Sequence, residues 1–157
     1  MFTIRIQTQD FDLSQECATM RTRHRNIGAI ASFVGIVRDH HAGDALSSMT
    51  LEHYPGMTEK SLGNIVKKAI ALWPIIDATV IHRIGQLQPT AQIVLVAVAA
   101  PHRGEAFQAC EYIMDYLKTD APFWKKETTM GGSRWVDARS SDNLAKQRWT
   151  TPPAPLT

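Results

Sequence analysis

From Ile93 to Ala100 the chain reads IVLVAVAA, eight residues without a polar side chain, and Pro101 stops the run. A strand with one face in water alternates apolar and polar residues, so an unbroken run of this length needs cover on both faces. It is far short of the roughly 20 residues that a membrane span requires. Gln92–Ala100 is therefore predicted to be a central strand, and the rest of the chain must supply what covers it. With 157 residues, 44% of them apolar and 20% charged, the chain is the size and composition of one globular domain.

Other segments carry their own periodicity. Phe2, Ile4 and Ile6 alternate with polar residues as in a half-buried strand. A short helix is expected over 12–20, followed by a basic run, Arg21 to Arg25, in a solvated loop. Ile27 to Val37 reads as a buried strand in which Gly28 and Gly35 mark bends or close approaches. After a polar loop, Arg38 to Asp44, Leu46 to Tyr54 reads as a second strand, and the pair suits a long hairpin. A helix follows, with Thr58 as N-cap, an apolar face of Leu62, Ile65, Val66, Ala69, Ile70 and Trp73, and a stop at Pro74.

Asp77 to Ile84 alternates as a strand, and Gly85 to Thr90 reads as a turn. Beyond Pro101, Ala106, Phe107, Cys110, Ile113, Met114 and Leu117 mark one face of a helix ending near Lys118. Phe123 to Thr129 and Ser133 to Ala138 form a hairpin around Gly131-Gly132. A terminal helix is expected over Asp142 to Trp149. The proline-rich stretch 150–157 is expected to be a disordered tail. The sum is an α+β fold, mostly antiparallel, with residues 1–149 as a single domain.

Several chemistries are excluded. Two cysteines, Cys17 and Cys110, cannot build a disulfide framework or a classical zinc finger. Cys110 falls on an apolar helix face, where a thiol is a core residue rather than a nucleophile. His24, His53, His82 and His102 have no ligand spacing, so no metal site and no cofactor are expected. No dinucleotide fingerprint, P-loop or nucleophile elbow occurs. The opening MFTIRIQTQDF lacks the basic-then-apolar order of a secretory leader, so a cytoplasmic location with no membrane partner is expected.

What remains is a set of cations at the ends of apolar elements: Arg38, His102-Arg103, Lys118 and Lys125-Lys126. Gathered in one cleft, they would hold an anion, with arginine as a bidentate phosphate clamp and lysine as a charge or proton donor. Taken singly, each has an ordinary reading. Lys118 and Lys125 are solvated surface lysines, Lys118 also complements a helix C-terminus, Glu127 holds one of the lysines, and Arg103 caps a helix or pairs with Glu105 or Asp115. A nucleic-acid-binding module would use the same cations. However, a net charge of +2 and a pI near 8.6 fall below the usual range for such domains, above about 9, so no nucleic-acid partner is expected.

The order and spacing of several segments resemble the large, catalytic subunit of molybdopterin synthase. They are Gly28-Ala29 through Phe33-Val-Gly-Ile-Val-Arg38, Leu51-Glu-His-Tyr-Pro-Gly-Met57, His82-Arg-Ile-Gly85, and His102-Arg103 with Ala106-Phe107. Asp115-Tyr-Leu-Lys118, Ala121-Pro-Phe-Trp-Lys-Lys-Glu127 and Gly132-Ser-Arg-Trp135 continue the match, which covers about residues 27–149. The resemblance implies an α/β-hammerhead-like domain with an additional, mostly antiparallel β subdomain. It implies sulfur transfer to cyclic pyranopterin monophosphate (precursor Z), forming the molybdopterin dithiolene. The sulfur would come from a thiocarboxylate on the C-terminal Gly-Gly of a small ubiquitin-like partner subunit. The assembly implied is a heterotetramer built on a homodimer of large subunits. By resemblance, Lys118 and Lys125 are the catalytic lysines. Ile36, Val37, Arg38, His102, Arg103, Lys126 and Glu127 join them as substrate-pocket positions. Ile36 departs from the polar residue many members carry there, which removes any polar side-chain contact from that position.

Overall fold

The computed structural model describes residues 1–41, 44–136 and 140–150. In chain order these give strand β1 (Phe2–Gln7), helix α1 (Leu13–Arg23), β2 (Ala29–Ile36), β3 (His40–His41) and β4 (Asp44–His53). Next come α2 (Met57–Leu72), β5 (Asp77–Arg83), β6 (Gly85–Leu87) and β7 (Gln92–Ala100). The last four are α3 (Arg103–Asp120), β8 (Phe123–Thr129), β9 (Gly132–Val136) and α4 (Ser140–Gln147). The strands make two sheets. The first has the order β1-β5-β7-β2, and the second has β3-β4-β8-β9 with β6 also paired to β4. Only β1 and β5 run parallel; the other pairings are antiparallel.

The apolar run is the interior strand it was expected to be. Val94, Val96, Val98 and Ala100 point into a core built with Leu62, Ile65, Val66 and Ala69 of α2 and Ala106, Ala109, Ile113 and Leu117 of α3. The alternate residues Leu95, Ala97 and Ala99 meet Phe11 and Met20 on the opposite face. Residues 94 to 100 are at most 2% exposed. A smaller core of Val37, Met49, Leu51 and Leu87 joins the second sheet to the first. Both glycines of β2 and its approach are close contacts. A Cβ on Gly28 would lie 1.9 Å from the Pro101 carbonyl oxygen, and one on Gly35 would lie 2.7 Å from Val94 Cγ1.

Several expectations are corrected. The proposed hairpin of 27–37 with 46–54 does not form: β2 pairs with β7 and β4 with β8, in different sheets. The turn after Gly85 contains β6, whose three residues take their hydrogen bonds from β4. The N-cap of α2 is Gly56, not Thr58; the Glu59 carboxylate accepts from the Gly56 N–H at 2.7 Å. Thr58 instead lies buried in the first turn, donating to the Tyr54 carbonyl at 2.8 Å.

The basic run is not a loop, since Arg21 and Arg23 form the last turn of α1. Arg23 and His24 lie 3.7 and 3.1 Å from the fully buried Asp77, which ties α1 to the start of β5. Phe107 is 66% exposed and lies off the apolar face of α3. The expected tail 150–157, apart from Thr150, and the end of the expected 133–138 strand lie outside the described residues. No described helix is long and apolar enough to cross a membrane.

Candidate active site

Helix α3 begins where β7 ends and packs back along β7 and β2. His102 is its N-cap and Lys118 sits in its last turn. At 1.5 Å per residue, Arg103 and Lys118 are roughly 22 Å apart. The strand register repeats that separation. Ala29 faces Ala100, whereas Ile36 faces Gln92. Arg38 therefore lies at the Lys118 end of the sheet, and His102-Arg103 at the other end.

One copy of the chain thus does not bring all its candidate cations together; it sorts them into two groups. His102 and Arg103 line an open depression with Gly28, Ala29, Pro101, Gly104 and Glu105. Neither ordinary partner takes Arg103. Asp115 is held by Arg148 and Trp149, both at 2.6 Å, and Glu105 keeps a buried oxygen, Oε2, without a hydrogen-bond partner.

At the other end, the two sheets meet. His82, in β5, pairs with Val94, which pairs in turn with Gly35. Only Arg83 and Ile84 separate His82 from Gly85, where β6 begins. Gly85 pairs with Leu51, and Leu51 pairs with Lys125 on β8. The segment His82 to Gly85 is thus the joint between the sheets, and the end of α3 and the start of β8 close over it. The His82 ring stacks on Phe123 with centroids 3.7 Å apart and planes 16° apart. Its Nδ1–H donates to the Arg83 carbonyl at 2.8 Å; a carbonyl only accepts, so Nε2 is the bare nitrogen. Burial is the main cause that pulls the His82 pKa down to about 4, and the nearby Lys118 and His53 charges pull the same way. The ring is neutral at physiological pH.

Along β8 successive side chains point to opposite faces. Phe123, Lys125 and Glu127 face inward, opposite His53, Leu51 and Met49. Glu127 is 1% exposed, with its carboxylate 3.8 Å from Lys125 Nζ and 4.0 Å from Arg134 Nη2. A carboxylate so buried needs such cations, and it fixes where the Lys125 ammonium stands. Lys126 points outward, over the Trp135 ring at 5.7 Å.

The other positions are structurally distinct. Val37 is 1% exposed, and its backbone N–H and carbonyl already bond to Ala91 and Thr90. Ile36 is 46% exposed at the end of β2. Arg38 is exposed. Cys110 is buried, with its pKa pushed up to about 12 by burial, which removes it as a nucleophile. Among the described residues no three His, Cys, Asp or Glu side chains gather as a metal would need.

Sequence reasoning missed His82, Phe123 and Arg134 as parts of this site. The signal for His82 was its parity in DATVIHR: it follows Ala78 and Val80 on the face toward α2 and α3, where an imidazole has no ordinary place. Arg134 had no signal, because only the β8–β9 register sets it opposite Glu127.

Comparison with known proteins identifies the family. The family model described as MoaE protein matches residues 6–120. The molybdopterin synthase catalytic subunit of Ralstonia nicotianae is 62% identical over 149 residues, spanning 95% of this chain and 85% of that protein. The solved structure of the molybdopterin biosynthesis MoaE protein from Burkholderia ambifaria superposes with a TM-score of 0.83 at 58% identity, covering 97% of this chain and 100% of that one. A Helicobacter pylori protein–protein complex of subunits 1 and 2 of molybdopterin-converting factor includes a chain with the same fold, with a TM-score of 0.70 at 20% identity, covering 88% of this chain and 92% of that one. With a family model over most of its length and a relative this similar, the chain belongs to the MoaE family of molybdopterin synthase catalytic subunits.

Proposed function

We propose that this chain is the sulfur-transferring catalytic subunit of a molybdopterin synthase, acting on cyclic pyranopterin monophosphate (precursor Z). The carrying observation is the joint between the sheets: Lys118 in the last turn of α3 lies close enough to the buried, neutral His82 for its charge to act on that ring, and Lys125 on β8 stands beside the buried Glu127 carboxylate. The sulfur donor is the thiocarboxylated Gly-Gly terminus of a small ubiquitin-like subunit. The Helicobacter complex, which pairs two subunits of the factor, supports a partner of this kind. An extended tail ending in an anion suits a site with two ammonium groups.

The thiocarboxylate sulfur bonds to the pterin as a thioester and displaces an oxygen substituent. Water then attacks the acyl carbon, and fixed ammonium groups stabilise the negative charge that develops on the acyl oxygen. The acyl C–S bond breaks to leave the sulfur on the pterin and a carboxylate on the tail. Lys118 acts nearest the sulfur transfer. Lys125, whose position is set by Glu127, assists binding and proton movement. Arg38, at the same end of the sheet, clamps the cyclic phosphate of precursor Z. The two free cysteines fit a reducing, cytoplasmic setting.

His102 and Arg103 enter through a homodimer, the core of a heterotetramer. Strand β2 is an edge strand, and an unprotected edge is a site for association. On or beside it Phe33, Ile36 and Phe107 are 41%, 46% and 66% exposed. A second copy docked there supplies its own His102 and Arg103 to the Lys118 end of the first.

The test is Lys118→Ala, assayed for conversion of precursor Z with thiocarboxylated small subunit. A loss of about 10²–10³-fold is expected, as for removing one preorganised charge; near-normal conversion by a folded variant overturns the assignment. For the dimer, Lys118→Ala and Arg103→Ala chains are mixed. Two-fold symmetry gives half mixed dimers with one intact site in two, so about a quarter of the activity returns if the site is shared. None returns if each copy works alone.

A further inference from the structure

We propose that His82 is a positioning residue for the reaction, its ring stacked on Phe123 so that Lys118 and Lys125 are held at one fixed separation. This rests on the reading that those two lysines carry the sulfur transfer.

The two lysines belong to elements that do not share a sheet. Lys118 lies in the last turn of α3, which packs on the first sheet, and Lys125 lies on β8 in the second. Between them the chain is short: Ala121 caps the helix, and Phe123 opens the strand two residues before Lys125. Whatever anchors Phe123 therefore sets where β8 starts relative to the end of α3.

The anchor is His82. Its ring lies flat on Phe123, and it is itself held by the 2.8 Å bond from its Nδ1–H to the Arg83 carbonyl. His82 is 5% exposed and belongs to β5, a strand of the first sheet flanked by β1 and β7. Beside Phe123, on the neighbouring strand β4, the His53 ring lies 6.3 Å away, and its Nδ1 lies 3.1 Å from the Thr58 hydroxyl of α2. Phe123 thus meets a ring from each sheet, His82 from the first and His53 from the second.

An aliphatic side chain of similar size would fill this space but has no ring plane to stack on Phe123, so it would leave the orientation of that ring unset. A protonated ring would add a cation to a place that already holds Lys118; the imidazole here stays neutral, so the ammonium groups remain the charges that meet an incoming anion. Reaction rate depends steeply on such placement, and an error near 1 Å costs about a hundredfold.

The experiment compares His82→Leu, which keeps volume but loses the plane, with His82→Phe, which keeps the plane, alongside Lys118→Ala. All are assayed as complexes with thiocarboxylated small subunit and precursor Z. His82→Leu is expected to lower kcat roughly ten- to hundredfold with the complex intact, and His82→Phe to recover kcat to within a few-fold of the parent. Should His82→Leu not fold, Phe123→Leu makes the same test from the other side of the stack, with the same expected loss. Parental kcat in a folded His82→Leu complex overturns the proposal, as does a folded His82→Phe complex as slow as His82→Leu. An active Lys118→Ala complex instead overturns the underlying reading of the lysines. A dead Lys118→Ala beside a fully active His82→Leu removes only the role of His82.

Discussion

The two sheets are built on opposite terms. In the first, β7 is apolar on both faces and sealed by α2 and α3 on one side and α1 on the other. In the second, β8 reads FWKKETT, carrying cations on both faces and a buried carboxylate. The small core beneath it holds four fully buried apolar residues, against eighteen in the main core. Charged groups so placed would be unstable on a sheet that had to hold itself together, because burying charge is expensive. The difference teaches that the first sheet supplies rigidity and the second supplies chemistry, with the joint at His82 passing one to the other.

That division can be broken by mutation, and the largest effects should separate cleanly. Lys125→Ala is expected to lower sulfur transfer about a hundredfold in the folded fraction, and to lower the melting temperature as well, because the buried Glu127 carboxylate loses one of its cations. Its neighbour Lys126, facing the other way over Trp135, should when changed to Ala alter mainly KM. Equal kcat losses at the two positions would show that the inward face is not special.

Leu95→Ala, in the first sheet, should do the reverse. It should remove about 2–5 kcal/mol of stability, read by urea denaturation, while the folded fraction keeps its kcat. A large kcat loss in that folded fraction would mean that the scaffold and the site are not separable.

The joint should be sensitive to pH. The folded His82 pKa of about 4 lies below its ordinary 6.5. Between those values the unfolded chain binds a proton that the folded chain does not, so stability is full above pH 6.5 and falls as pH drops toward 4. The loss reaches on the order of 3 kcal/mol, and His82→Phe should flatten that part of the stability–pH curve. An unchanged slope would place the loss elsewhere. Cys110, with its thiol pushed up to about 12, should react with a thiol reagent only after unfolding; labelling in the native protein would show that the first sheet opens.

The smallest effect should come from the outer surface of α3. Arg148 pairs with Glu111 and Asp115 at 2.7 and 2.6 Å but is about half exposed. Arg148→Ala should cost at most about 1 kcal/mol, less at high salt.

The two regions were also unequally legible in the sequence. Strand β7 and helices α2 and α3 declare themselves through local periodicity, and their places agree with expectation to within a few residues. Pairing is not local. Nothing in residues 27–37 says that they will lie against 92–100 rather than 46–54, and the three residues of β6 become a strand only because β4 offers them hydrogen bonds. For the site, the residue types were readable and their gathering was not. The expected helix and strand already put His102 and Lys118 at opposite ends of α3 and Lys125 and Lys126 on opposite faces of β8; the pairings that bring Lys125 to the joint at His82 had no local signal.

The parallel pairing of β1 with β5 has a consequence in time. Phe2 is matched to Ala78 and Gln7 to Arg83, and β1 has no other neighbour in its sheet. On the ribosome, where synthesis runs at about 5–20 residues per second, the first strand must wait roughly 4–15 s for its partner to be made. Helix α1 and strand β2 emerge meanwhile, and β2 in turn waits nearly as long for β7. The first sheet therefore cannot assemble in the order in which it is written. It closes around its most apolar strand only once β7 has been made, and until then Phe2, Ile4 and Ile6 stand exposed, where a nascent-chain chaperone or a premature strand pairing would find them.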